Sequence, residues 1–119
     1  MIRPNALTIL GLLVAAFVST QSWAHASLME STPALNSFVR APELDIVLRF
    51  NVRIDGSRSR LRLASPGGAV STLTPSQISP DILRTHVSQL KPGTYKLEWQ
   101  VLASDGHISR GEIPFTVAE

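Results

Sequence analysis

Two short stretches hold most of the side chains that could do chemistry beyond packing: Ser22-Trp23-Ala24-His25-Ala26-Ser27 near the front of the chain and Ala103-Ser104-Asp105-Gly106-His107 near its end. In an extended segment residues i and i+2 project to one side, so Asp105 and His107 can turn a carboxylate and an imidazole toward a common point. Gly106 between them adds no side chain to obstruct it. A carboxylate plus an imidazole is a fragment of a metal site, but Asp-Gly is also a common turn, and a lone histidine near a strand end is usually structural or exposed.

His25 changes that balance if it becomes a new N-terminus. Arg3 supplies a basic n-region, Ala6 to Val18 is apolar without a charge, and Ser22-x-Ala24 places small residues at the −3 and −1 positions of a cleavage site. A membrane anchor would need about 20 apolar residues, and Thr8, Gly11, Ser19, Thr20 and Gln21 leave this run short. The expectation is a secretory signal over residues 1–24, an export step to the periplasm, and a soluble mature domain over residues 25–119. Ala24-x-Ala26 fits the same pattern, so a cut after Ala26, which would remove His25, stays open at this point.

A cut after Ala24 frees an α-amino group on a histidine. That amine has an ordinary pKa of roughly 7.7 to 8.0, so near neutral pH it can lose its proton and bind a metal together with its own imidazole. With His107 and Asp105 the donor set becomes three nitrogens and one oxygen, which suits a tetragonal Cu(II) ion. Cu(II) is also the divalent first-row ion such donors hold most tightly.

Composition narrows the alternatives. The formal net charge is only +2, and Arg3 leaves with the leader, so no polyanion is implied and nucleic acid is not expected as a partner. Arg49, Arg53, Arg58, Arg60 and Arg62 bunch at a spacing that reads as the solvent face of one hairpin. The chain has no cysteine, which excludes disulfides, thiolate metal sites and cysteine catalysis. The other soft donors of the mature chain are His86, read as a structural or surface residue, and Met29.

The elements that must position the site are short and alternating, with Pro, Gly, Asn and Asp between them about every ten residues, the pattern of an all-β sandwich or barrel. Seven strands are expected, at Ala26–Glu30, Leu44–Asn51, Arg58–Ser65, Ala69–Leu73, Ile82–Ser88, Gly93–Leu102 and His107–Val117. Tyr95, Leu97, Trp99 and Val101 alternate with Lys96, Glu98 and Gln100, and Ile113, Phe115 and Val117 alternate with Glu112 and Thr116; the apolar sets are core. Pro114 lacks a backbone donor, so an edge or bulge is expected there. The result is one immunoglobulin-like Greek-key domain.

From His25 to Val117 the chain resembles the bacterial copper resistance protein C (CopC) family of periplasmic copper-binding domains. The matching residues are His25-Ala26, "STPA" at Ser31 to Ala34, "VLRFN" at Val47 to Asn51 and, most specifically, "LKPGTYKLEWQVLASDGHISRGEIPFTV" from Leu90 to Val117. The resemblance implies an immunoglobulin-like β-fold holding one Cu(II) per chain at one end through an N-terminal histidine brace. His25 would give amine and imidazole nitrogens, His107 the third nitrogen, and Asp105 an oxygen ligand or a close second contact. It further implies copper carriage or buffering in resistance, homeostasis or delivery, with an inner-membrane copper transport protein as partner. Some members also build a methionine-rich Cu(I) site, but no methionine occurs between Glu30 and Glu119.

Two other functional classes compete. A copper-dependent oxidative enzyme is disfavoured because Asp105 would crowd an open coordination position and the domain offers little surface for a polymeric substrate; the expectation is no catalysis. A metal-free secreted interaction module is the default for a sandwich without recognised chemistry. It would have to treat His25 and the Asp105/His107 loop as coincidence.

Overall fold

The computed structural model describes residues 26–119, so the expected leader over residues 1–24 and His25 lie outside the described residues. No helix among the described residues is long and apolar enough to cross a membrane. The chain forms β1 Leu28–Thr32, β2 Ser37–Val39, β3 Leu44–Phe50, β4 Ile54–Ala64, β5 Val70–Leu73, β6 Ser76–Ser79, β7 Ile82–Val87, β8 Gly93–Ala103 and β9 Ile108–Val117. Two sheets face each other, in the orders β1-β3-β7-β6 and β2-β9-β8-β4-β5.

The alternation that marks the strands also sets the core. Ile46, Leu48 and Phe50 of β3 and Leu83 of β7 point inward from the four-stranded sheet, and Leu61, Leu97, Val101, Ile113 and Phe115 from the five-stranded one; all are essentially sealed from solvent. Burying each such side chain stabilises the fold by roughly 1.5–3 kcal/mol. Phe50 and Trp99 meet edge to face across the two sheets, with ring centroids 5.2 Å apart. Gly111 lies in register with Trp99, and the indole packs so closely over it that a Cβ there would overlap the ring. That contact is the physical reason for a glycine in the "RGEIPF" stretch.

Nine strands replace the expected seven among the described residues. β2 and β6 have only 3 and 4 residues and no alternation to betray them. β2 runs parallel to β9, and the Asn36 N–H donates to the Pro114 carbonyl at 2.7 Å just before that pairing starts at Ser37 and Phe115. A strand residue's N and O face the same side, so the donor Pro114 lacks is one that β2 does not reach. The expectation of an edge or bulge is corrected: Pro114 sits in an interior strand without a register shift, at the point where the β2 pairing begins.

Two further expectations are corrected. Asp55-Gly56 falls between the expected strands Leu44–Asn51 and Arg58–Ser65, yet it lies inside β4, which continues through it with a register shift between Asp55 and Arg60. The Gln77 side chain of β6 anchors this irregularity, donating through Nε2 to Ile54 O at 2.9 Å and accepting from the Gly56 N–H at 3.0 Å, which ties one sheet to the other. The arginines do not share a hairpin face either. Arg58, Arg60 and Arg62 belong to β4 in one sheet, Arg49 to β3 in the other, and Arg53 to the connection between them.

Candidate metal site

Asp105 and His107 sit in the loop joining β8 to β9, the longest hairpin of the fold. The Ala103 N–H donates to His107 O at 2.8 Å and the Gly106 N–H donates to Ala103 O at 2.9 Å, which closes a tight turn. Gly106 has φ +94°, the left-handed backbone that ends a three-residue hairpin loop and that a glycine adopts at little cost. The segment is thus the turn that Asp-Gly signals, and not the extended run in which i, i+2 spacing would align the two side chains. Asp105 and His107 still converge, but by folding onto each other.

The carboxylate grips the histidine at two points. The His107 N–H donates to Asp105 Oδ1 at 3.0 Å, and His107 Nδ1 lies 3.0 Å from Asp105 Oδ2. The backbone N–H first, and the imidazole second, hold the Asp105 carboxyl below the ordinary aspartate value. Against an ionised carboxylate Nδ1 carries its hydrogen, which assigns the lone pair of the neutral ring to Nε2. A histidine so oriented by a carboxylate is the arrangement that metal-binding imidazoles commonly use.

The start of the described chain reaches the same end of the sandwich. Asn51, following β3, accepts from the Ser27 N–H through Oδ1 at 2.6 Å and returns its own N–H to Ser27 O at 3.0 Å, while Ala26 is buried in the core. Two residues on, Arg53 O accepts the Ser104 N–H at 3.1 Å, so residues 51–53 link Ser27 to the loop bearing Asp105 and His107. Of the three expected ligands, two are brought together; His25 lies outside the described residues. Asn51 was quoted only as part of a motif, and its role as the clamp on the first strand was missed. The signal was available: a polar amide ending an apolar strand. Among the described residues no group of three or more His, Cys, Asp or Glu side chains could hold a metal ion.

His86 is placed elsewhere. It pairs with Asp45 across β7 and β3 on the outer face of the four-stranded sheet, with Nδ1 2.8 Å from Asp45 Oδ1. It lies toward the end where Leu90 N–H donates to Pro42 O. At that end the Tyr95 hydroxyl accepts from the Lys91 N–H at 2.9 Å and donates to Lys91 O at 2.7 Å, a tyrosine corner of the kind found in immunoglobulin-like sandwiches.

Comparison with known proteins finds the CopC domain over residues 28–118. Protein YobA of Escherichia coli strain K12 is 31% identical over 112 residues, covering 91% of this chain and 90% of that protein. Copper resistance protein C of Xanthomonas campestris pv. juglandis is 30% identical over 97% of this chain and 96% of its own. Among solved structures, CopC from Methylosinus trichosporium OB3b superposes with a TM-score of 0.74 at 27% identity, covering 79% of this chain and 94% of that one.

Proposed function

The chain belongs to the CopC family, a family of copper-binding proteins rather than enzymes, and on that premise we propose that it is a periplasmic Cu(II) carrier whose metal is held by an N-terminal histidine brace. In this reading residues 1–24 are removed on export. His25 then binds through its amine and its imidazole, and His107 completes three nitrogen donors through Nε2. Asp105 fixes the His107 ring and supplies the neighbouring negative charge that a divalent cation favours. One copper is bound per chain, and the work of the protein is capture, buffering and release, with delivery to an inner-membrane copper transport protein.

The observation that best supports this reading is the linkage of Ser27 to Asn51 and of Arg53 to Ser104, which brings Ser27, two residues after His25, and the His107 hairpin to one end of the sandwich. Release follows from the same donors. The amine and both imidazoles must be deprotonated to bind, so affinity falls as pH drops below about 6, through the ordinary imidazole range. The test is a competitive Cu(II) titration of the processed protein and of its His25→Ala variant between pH 7 and pH 5. Loss of tight binding in the variant, and a steep acid decline in the parent, are expected. Unchanged copper binding in His25→Ala, or flat affinity over that range, contradicts the brace.

A further inference from the structure

Charge is unevenly satisfied on the outer face of the five-stranded sheet. Its strand carboxylates each meet a cation: Glu98 lies 3.4 Å from Arg62, Glu112 3.6 Å from Lys96 and Asp55 3.7 Å from Arg58. Arg60 and Arg110 are different. In register they flank Gln100, Arg60 on β4 and Arg110 on β9, and Arg110 Nε donates to Gln100 Oε1 at 2.8 Å. Neither forms an ion pair with a carboxylate among the described residues. The next row toward the hairpin tip runs Asp55, Leu102, Ile108: Asp55 is paired with Arg58, and Leu102 and the more than half exposed Ile108 form an apolar step beside it. Ile108 directly follows His107.

These residues line a recess rather than a flat face. A groove of about 390 Å³ is bounded by Arg58, Arg60, Gln100, Leu102 and Ile108, and it shares Arg60 and Gln100 with a wider groove of about 990 Å³ that takes in Arg110 together with the paired Glu98 and Glu112. Two guanidiniums with unspent charge and one apolar step suit carboxylates and an aliphatic side chain from a single extended segment.

We propose that the Arg60–Gln100–Arg110 row and the Leu102/Ile108 step dock an acidic segment of a partner protein against the hairpin that carries His107. The docking itself stands on this groove alone; that it serves copper transfer rests on the function proposed above. Because guanidinium charge dominates the contact, it weakens as salt rises.

The probe is an acetylated, amidated peptide with two acidic residues on each side of one leucine, titrated into the metal-free whole protein and followed by amide chemical shifts. Shifts are expected at Arg60, Gln100, Leu102, Ile108 and Arg110. The double variant Arg60→Glu/Arg110→Glu weakens binding about tenfold, the size two exposed charge contacts together can supply when their sign is reversed. The milder Arg60→Gln gives a smaller loss in the same direction. His107→Ala leaves the peptide affinity unchanged, and the arginine variants leave Cu(II) affinity unchanged, so failure of the docking surface and failure of the metal site read out separately. The proposal is overturned if charge reversal has no effect, if shifts centre on Lys91 and Lys96, or if a lysine version of the peptide binds equally. It is also overturned if phosphatidylglycerol vesicles bind the protein through these arginines while the peptide does not.

Discussion

His86 and His107 each present Nδ1 to an aspartate, at 2.8 and 3.0 Å, and both are well exposed, yet the two pairs are built differently. His86 meets Asp45 across two strands near the opposite end of the sandwich, on an outer sheet face, where Arg84 also binds Asp45 at 3.2 Å and Glu43 lies 3.8 Å from His86 Nε2. That pair closes a surface charge network. His107 meets Asp105 within one turn, where the carboxylate holds backbone and ring together at an end of the sandwich that Ser27 also reaches. The difference teaches that a His–Asp contact does not by itself mark a site. What sets His107 apart is a backbone that fixes the pair and the second chain segment anchored beside it.

The strongest way to break the comparison is to remove each imidazole. His107→Ala should lower Cu(II) affinity by on the order of 100-fold or more, and Asp105→Asn by about 10- to 100-fold through loss of ring orientation. His86→Ala should change it less than about twofold. Equal losses at His86 and His107, measured by competition with a colorimetric chelator, would erase the distinction.

The backbone half of the comparison concerns two glycines of the β8–β9 hairpin. Gly111→Ala should destabilise the fold by about 1–3 kcal/mol, because its Cβ would strike the Trp99 indole. Gly106→Ala meets no atom within 4 Å and should cost only about 1–2 kcal/mol of left-handed backbone strain. Its larger effect should fall on copper affinity, since relaxing the turn moves Asp105 away from the His107 N–H. Chemical denaturation and copper titration of the two variants separate packing from site geometry.

The smallest and sharpest test is titration of the two aspartates. Both carboxyls sit below the ordinary value of 3.8, Asp45 first through the His86 side chain and Asp105 first through the His107 backbone. Carboxyls held low contribute stability that is present above their ordinary pKa and is lost as pH falls through the lower folded value, so both contacts fade only on the acid side of about pH 4. In metal-free protein, His86→Ala should raise the Asp45 value by removing its largest lowering contact, while Arg84 keeps it below the ordinary value. His107→Ala should return only part of the Asp105 shift, because the backbone N–H remains. Carboxyl carbon NMR titrations of the parent and the two variants check this.

Much of the fold was legible because burial follows period two in the long strands. Tyr95, Leu97, Trp99 and Val101 are buried as the alternation requires, as are Ile113, Phe115 and Val117. The parts that escaped depend on contacts with no local pattern: β2 on the bond from Asn36 to Pro114, β6 on the amide of Gln77, and the joining of Asp55 to Arg60 on a register shift inside β4. At the site, the residue types of Asp105 and His107 pointed to a shared role. Their geometry did not follow from i, i+2 spacing, because Gly106 at φ +94° turns the chain and makes the carboxylate a clamp on its neighbour. The position of His86 away from that end was fixed by strand pairing, which spacing alone does not encode.

The most direct test of the brace is native mass spectrometry of the protein recovered from the periplasm after limited exposure to Cu(II), alongside its His107→Ala variant. A chain that begins at His25 and carries one copper, with the copper absent in the variant, is the predicted result. A chain that begins at Ser27, a His25 terminus without copper, or copper retained equally in His107→Ala would contradict it.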